Sequence, residues 1–133
     1  MLETKTTKSY KKMGLIEANK ICFYKYFDFK GRARRAEYWY FILFIILVSF
    51  ILGFIEGFTG AFDNTDRSIY ADIFSIFIII PSISVSVRRL HDINRSGWWV
   101  LLTFLIIIGS IILLIWHCKD SDKEINRFGP NPK

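Results

Sequence analysis

The amino-acid sequence predicts an all-α integral membrane protein, a bundle of three transmembrane helices preceded by an amphipathic interfacial helix. Three observations carry that prediction. Runs 38–55, 73–87 and 96–116 hold no charged residue and measure 18, 15 and 21 residues. The chain of 133 residues is 52% hydrophobic and 17% aromatic, yet its net charge is +6 and its pI about 9.4. The charge is unevenly placed: residues 1–37 hold ten Lys or Arg against four acids, and the remainder balances. Disorder needs low hydrophobicity and is excluded. A chain this short allows one domain, or one membrane module with tails.

Residues 1–13, rich in Lys and Thr, read as a disordered polar tail, and 14–133 as a single membrane domain. Residues 14–30 read as an interfacial helix. Leu15, Ala18, Cys22, Phe23, Tyr26 and Phe29 gather on one side of it, and Glu17, Lys20, Tyr24, Lys25 and Asp28 on the other. Such a helix lies on an anionic leaflet or against the cytoplasmic end of the bundle.

A hydrocarbon core of about 30 Å takes about 20 helical residues. On that scale spans are expected at 38–57, 72–88 and 97–117, followed by a polar tail at 118–133. The third run spans unaided; the second needs Asp72 and Arg88 to snorkel or the bilayer to thin. The second also holds Pro81, which frees a backbone carbonyl, and four serines whose hydroxyls can satisfy it in lipid. It reads as the most protein-buried span, with a re-entrant or interfacial segment as the rival reading. The polar first 20 residues predict no cleavable signal peptide, so the first span drives insertion.

With three spans, the N-terminal segment and loop 88–97 share a side and hold thirteen Lys or Arg, against five elsewhere. The positive-inside rule then puts the N-terminus in the cytoplasm and the C-terminal tail outside. A fold-back of the third run near Gly109 would bring the tail inside, but 21 residues are too few for two full crossings, which favours the odd count.

Three polar strings flank the spans: Phe29-Lys30-Gly31-Arg32-Ala33-Arg34-Arg35-Ala36-Glu37-Tyr38-Trp39, then Arg88-Arg89-Leu90-His91-Asp92-Ile93-Asn94-Arg95-Ser96-Gly97-Trp98-Trp99, then Asn126-Arg127-Phe128-Gly129-Pro130-Asn131-Pro132. Together and in this order they resemble the YhaH-like family of small bacterial inner-membrane proteins, the domain of unknown function 805. The resemblance implies a multi-pass protein of the bacterial cytoplasmic membrane, with a few helices and no established biochemical activity. Two departures from that pattern matter. Arg34 stands where many relatives have Ser, so the reciprocal cap with Glu37 is lost and Glu37 is left to pair with Arg34 or the helix N-terminus. Ile107 and Ile108 precede Gly109 where relatives often have proline, which removes a Pro-driven kink.

Arg32, Arg35 and Trp39 share a helical face, as do Arg88, His91, Asp92 and Arg95 if the second helix continues that far. Arg32, Arg35, Glu37, Trp39, Arg88, Arg89, His91, Asp92, Arg95, Trp98 and Arg127 are therefore candidates for binding anionic lipid headgroups or a partner membrane protein. The competing reading is structural, with Asp92 and Glu37 neutralising neighbouring arginines. Adjacent His91 and Asp92 diverge by about 100° on a helix and form no relay, so no catalytic residue is expected. Cys22, His91, His117 and Cys118 lack metal-site spacing, so neither metal nor cofactor is expected, and the cysteines, on opposite sides of the membrane, stay free. Basic and aromatic residues interleave as in nucleic-acid binders, but their position beside a span explains them, so no nucleic-acid partner is expected. The tail turn could dock back on the bundle through Arg127 or Phe128 and, on the cytoplasmic side, complete the Arg cluster. The sequence thus describes a non-enzymatic inner-membrane protein that engages anionic lipid or a partner, a homo-oligomer included. The alternatives are an oligomeric transport or channel component, and an enzyme acting on lipid phosphates.

Overall fold

The computed structural model describes residues 12–60 and 69–132. The expected polar tail falls outside it over residues 1–11, as does 61–68 of the acidic loop. All regular structure among the described residues is helical: α1 (Leu15–Tyr24), α2 (Arg35–Thr59), α3 (Ile69–Asp92), a 3₁₀ segment (Gly97–Phe104) and α4 (Ile108–Cys118).

Helix α1 is shorter than the expected 14–30 and packs on the bundle. Ala18 and Cys22 are fully buried, and the Phe23 ring meets Phe41 and Phe44 of α2 edge-on at 5.8 and 5.7 Å. Its other face keeps Ile16 and Tyr24 exposed.

Helices α2 and α3, of 25 and 24 residues, are each long and apolar enough to cross a membrane. They are no soluble core: only 11% and 22% of their most apolar stretches are buried. Phe50, Phe54, Phe58 and Ile76 point outward, where the hydrophobic effect would penalise them in water. Arg34 precedes α2 without a side-chain cap, as loss of the capping hydroxyl implies. Helix α3 ends in a Schellman turn: Asn94 takes the left-handed conformation (φ 56°), Arg95 N–H bonds the Leu90 carbonyl at 2.9 Å and Asn94 N–H that of His91 at 3.0 Å. Pro81 leaves the Phe77 carbonyl without its helical donor. The Tyr26 hydroxyl, rather than a serine, donates to it at 2.6 Å, while Ser84 Oγ bonds the Lys25 and Asp28 carbonyls.

The third apolar run departs from expectation. It is not one span over 97–117 but two legs broken at residues 105–107. Eight residues of 3₁₀ helix at about 2.0 Å each and eleven of α-helix at about 1.5 Å each are both about 16 Å long, half a hydrocarbon core. The chain therefore returns to the level it left. Trp99 and Trp116 meet edge-on at 5.6 Å across the open end, and Phe104 and Ile106 are exposed at the tip. Gly109 makes the reversal feasible, because a Cβ there would collide with the Leu102 carbonyl and lie 3.0 Å from Leu105 Cβ. Two full crossings are indeed impossible in 21 residues; two half-crossings fit. The tail accordingly lies at the end of the bundle where α2 begins and α3 finishes, not at the opposite end. Cys22 and Cys118, expected on opposite sides, share that end too; both are free thiols, Cys22 buried and Cys118 exposed.

Gly109→Ala is expected to cost about 3 kcal/mol, the upper range of overpacking, and to lower the thermal unfolding midpoint in detergent. Gly57→Ala, with open space around its Cβ, serves as control. Equal midpoints for the two variants would disprove the close backbone crossing.

Candidate functional site

The three polar strings meet at that end. Gly31, in the left-handed region (φ 76°), turns the chain before α2 and aims Arg32 inward. All five N–H donors of Arg32 are used. Nε bonds Asp92 Oδ1 at 3.0 Å, and Nη2 bonds the Asp92 and Asp122 carbonyls at 3.1 and 2.7 Å. Nη1 bonds those of Glu124 and Gly129 at 2.9 and 3.1 Å. A lysine cannot reproduce this fork.

Arg89 complements Arg32 from α3. Its Nη1 bonds Asp92 Oδ2 at 2.8 Å, Nε and Nη2 bond the His117 carbonyl at 3.3 and 3.2 Å, and Nη2 also reaches the Lys119 carbonyl. The last carbonyls of α4 lack helical partners and carry the negative end of its dipole, so Arg89 caps that helix. Asp92 is fully buried between the two guanidiniums and also accepts from the Ser121 hydroxyl. A second pair, Arg88 with Glu37, joins α3 to α2, and Ala33 N–H bonds the Arg88 carbonyl at 2.9 Å. Arg88 Nε and Nη2 have no hydrogen bond among the described residues.

His91 holds the tail. Its Nδ1–H donates to the Gly31 carbonyl at 3.0 Å, its own carbonyl accepts from Asn126 Nδ2 at 2.9 Å, and its ring stacks on Phe128 at 3.8 Å and 4°. The tail turn is closed by reciprocal N–H···O bonds between Asn126 and Gly129 and by Phe128 N–H on Asn126 Oδ1. Gly129 meets its positive φ of 127°. Of the two expected anchors, Phe128 is the one inserted.

The sequence candidates thus divide. Arg32, Glu37, Arg88, Arg89, His91 and Asp92 form a buried latch. Arg32 precedes α2 and shares no helical face with Arg35, and Arg95 lies beyond the end of α3. Arg35, Arg95, Arg127 and Trp98 are exposed, and Trp39 is half-buried. The Arg35 guanidinium bonds the Cys118 carbonyl at 3.3 Å, that of Arg95 lies 4.5 Å over Trp116, and that of Arg127 4.7 Å over Phe128. Sequence reasoning missed Ser121 and Asn126, which touch Asp92 and His91; Asn126 lies within a quoted string, whereas Ser121 carries no pattern. Among the described residues no cluster of three or more His, Cys, Asp or Glu could hold a metal ion.

Beside the latch, Cys22 Sγ lies 3.8 Å from Glu37 Oε1. Burial, and next the Glu37 charge, push this thiol up to about 12.

Residues 26–130 match the family described as "Protein of unknown function (DUF805)". "Inner membrane protein YhaH" of Escherichia coli (strain K12) is 42% identical over 108 residues, covering 81% of this chain and 89% of that protein. "Inner membrane protein YhaI" of the same organism is 36% identical over 108 residues, with 81% and 88% covered. "Uncharacterized protein YiiR", also from that strain, is 32% identical over 87 residues, with 65% and 54% covered. No solved structure matches.

Arg32→Lys keeps a charge but loses most of the fork. Breaking a buried pair costs about 3–5 kcal/mol, so trypsin is expected to cut after Lys123 at least tenfold faster than in wild type. Arg35→Lys is the exposed control, and equal rates for both variants would refute the latch. A raised thiol pKa favours the folded state fully below the unfolded value of 9.0, and that contribution is lost between 9.0 and about 12. At pH 8 maleimide is therefore expected to modify Cys118 and to spare Cys22 until the protein is denatured.

Proposed function

We propose a role for a chain that belongs to the DUF805 family: a non-enzymatic inner-membrane protein with two full crossings, a half-membrane hairpin and a cytoplasmic cap. The exposed arginines of that cap engage anionic lipid headgroups. One observation carries the reading. Because the tail returns to the latch, seventeen of the eighteen Lys and Arg belong to segments joined to that end, and Arg67 alone to the other. An even count of crossings therefore suits the positive-inside rule better than the odd count, which split them thirteen to five.

The latch itself leaves little for a ligand, since Arg32 and Arg89 are turned onto protein carbonyls and Asp92. Arg35, Arg95 and Arg127 remain at the surface, where the Arg95 guanidinium lies over the Trp116 ring, and Trp98 is exposed too. Arginine next to tryptophan at headgroup depth pairs with phosphate while the ring anchors in the interface.

A basic residue near an anionic surface contributes about 1 kcal/mol. Arg35→Ala/Arg95→Ala is thus expected to reduce the phosphatidylglycerol bound beyond one molecule per chain at least tenfold, read by native mass spectrometry, with tail protection from trypsin unchanged. A C-terminal reporter active only in the cytoplasm should light up. Undiminished phosphatidylglycerol would reject the headgroup role, and a reporter on the outer side would reject the topology.

A further inference from the structure

A cavity of about 540 Å³ lies between α3, the 3₁₀ leg of the hairpin and the docked tail. Its walls are apolar: Ile83 and Val87 from α3, Val100 and Leu101 from the 3₁₀ leg, with Trp98 at the side. Ile83, Leu101 and Trp98 are 41%, 49% and 79% exposed, so the cavity opens sideways, on the face where the hairpin enters the bilayer. Gly97 lets the 3₁₀ leg close on α3 at one end of it: a Cβ there would lie 2.6 Å from Val87 Cγ1 and 3.3 Å from His91 Nε2.

Its polar handle is defined. A carbonyl only accepts, so His91 Nδ1 carries the proton given to Gly31, and in the neutral ring Nε2 is left as an acceptor. His91 is 8% exposed and lines the cavity, with Nε2 on the Gly97 side of the ring. The ring stacks on Phe128, and the Arg127 guanidinium lies over that same Phe128 ring. Arg127 is not part of the lining, so the mouth offers one acceptor, His91, above an apolar floor. Volume and lining match those of ligand sites, mostly apolar with a few placed polar groups.

We infer that this cavity binds one glycerophospholipid whose headgroup carries a hydrogen-bond donor. An acyl chain fills the apolar floor, and the headgroup ammonium or hydroxyl donates to His91 Nε2. The inference rests on the membrane placement proposed above but not on the lipid affinity of Arg35 and Arg95.

The test is native mass spectrometry of the full chain after exchange into phosphatidylethanolamine, phosphatidylglycerol or phosphatidylcholine with matched acyl chains. The choline headgroup has no N–H or O–H. One phosphatidylethanolamine or phosphatidylglycerol per chain is expected to remain, at least tenfold above phosphatidylcholine, and the better retained of the two identifies the donor. Leu101→Trp fills the cavity from its exposed wall and should lower retention at least tenfold, with tail protection from trypsin intact; Ile83→Trp repeats this from the opposite wall. Arg35→Ala/Arg95→Ala should keep the single lipid. Equal retention of phosphatidylcholine would overturn the donor assignment. Wild-type retention in both filled variants, or loss only in the Arg35/Arg95 variant, would overturn the cavity.

Discussion

Everything at the capped end depends on a balance of buried charge around Asp92. Two guanidiniums, Arg32 and Arg89, flank one carboxylate away from water. Buried ions are tolerated only when their remaining donors are satisfied. Asp92 supplies part of what the two arginines need, and the rest comes from main-chain carbonyls of His117, Lys119, Asp122, Glu124 and Gly129. All five lie in the last seventeen residues of the chain. The tail must therefore return to the end where α3 finishes, and the third apolar run, which joins the two, must reverse.

The reversal sets its own requirements. In lipid a broken helix is tolerated where its backbone groups find partners. Leu105 N–H bonds Leu102, Gly109 N–H bonds Leu105 and Ile111 N–H bonds Ile107, which ties the two legs across the break. Two legs of equal rise and a glycine at the crossing then do what proline would do in a kinked span. Glycine acts there through its missing side chain rather than through an unusual φ. A similar economy operates in α3, where the carbonyl released by Pro81 is taken by Tyr26 and the adjoining turn is held by Ser84.

This arrangement separates two jobs that the arginine strings seemed to share. The inward guanidiniums shape the protein, and the outward ones stand at its surface. The cavity beside the hairpin depends on the inward set, since Phe128 reaches it only because Arg32 holds the tail and His91 is turned by its bond to Gly31. A change in the latch should therefore be felt at the lipid-facing wall.

Composition and spacing were enough to determine an all-helical architecture, the two long helices and the basic character of one end, because apolar run length and charge placement are properties of the chain alone; the resemblance to the family rested on the three polar strings. The strings around Arg32, Arg88 and Asn126 could also be picked out, with Arg127 or Phe128 as the anchor of the tail. What could not be read was which arginines turn inward, that Ser121 meets Asp92, or that the third run folds back. A run of 21 uncharged residues satisfies the length criterion for a crossing equally well as one helix or as two half-legs. The choice between them is made by bonds between residues 60 to 97 positions apart, Arg32 to Asp92 and to the tail, which exist only once the helices have packed and left those charges without water.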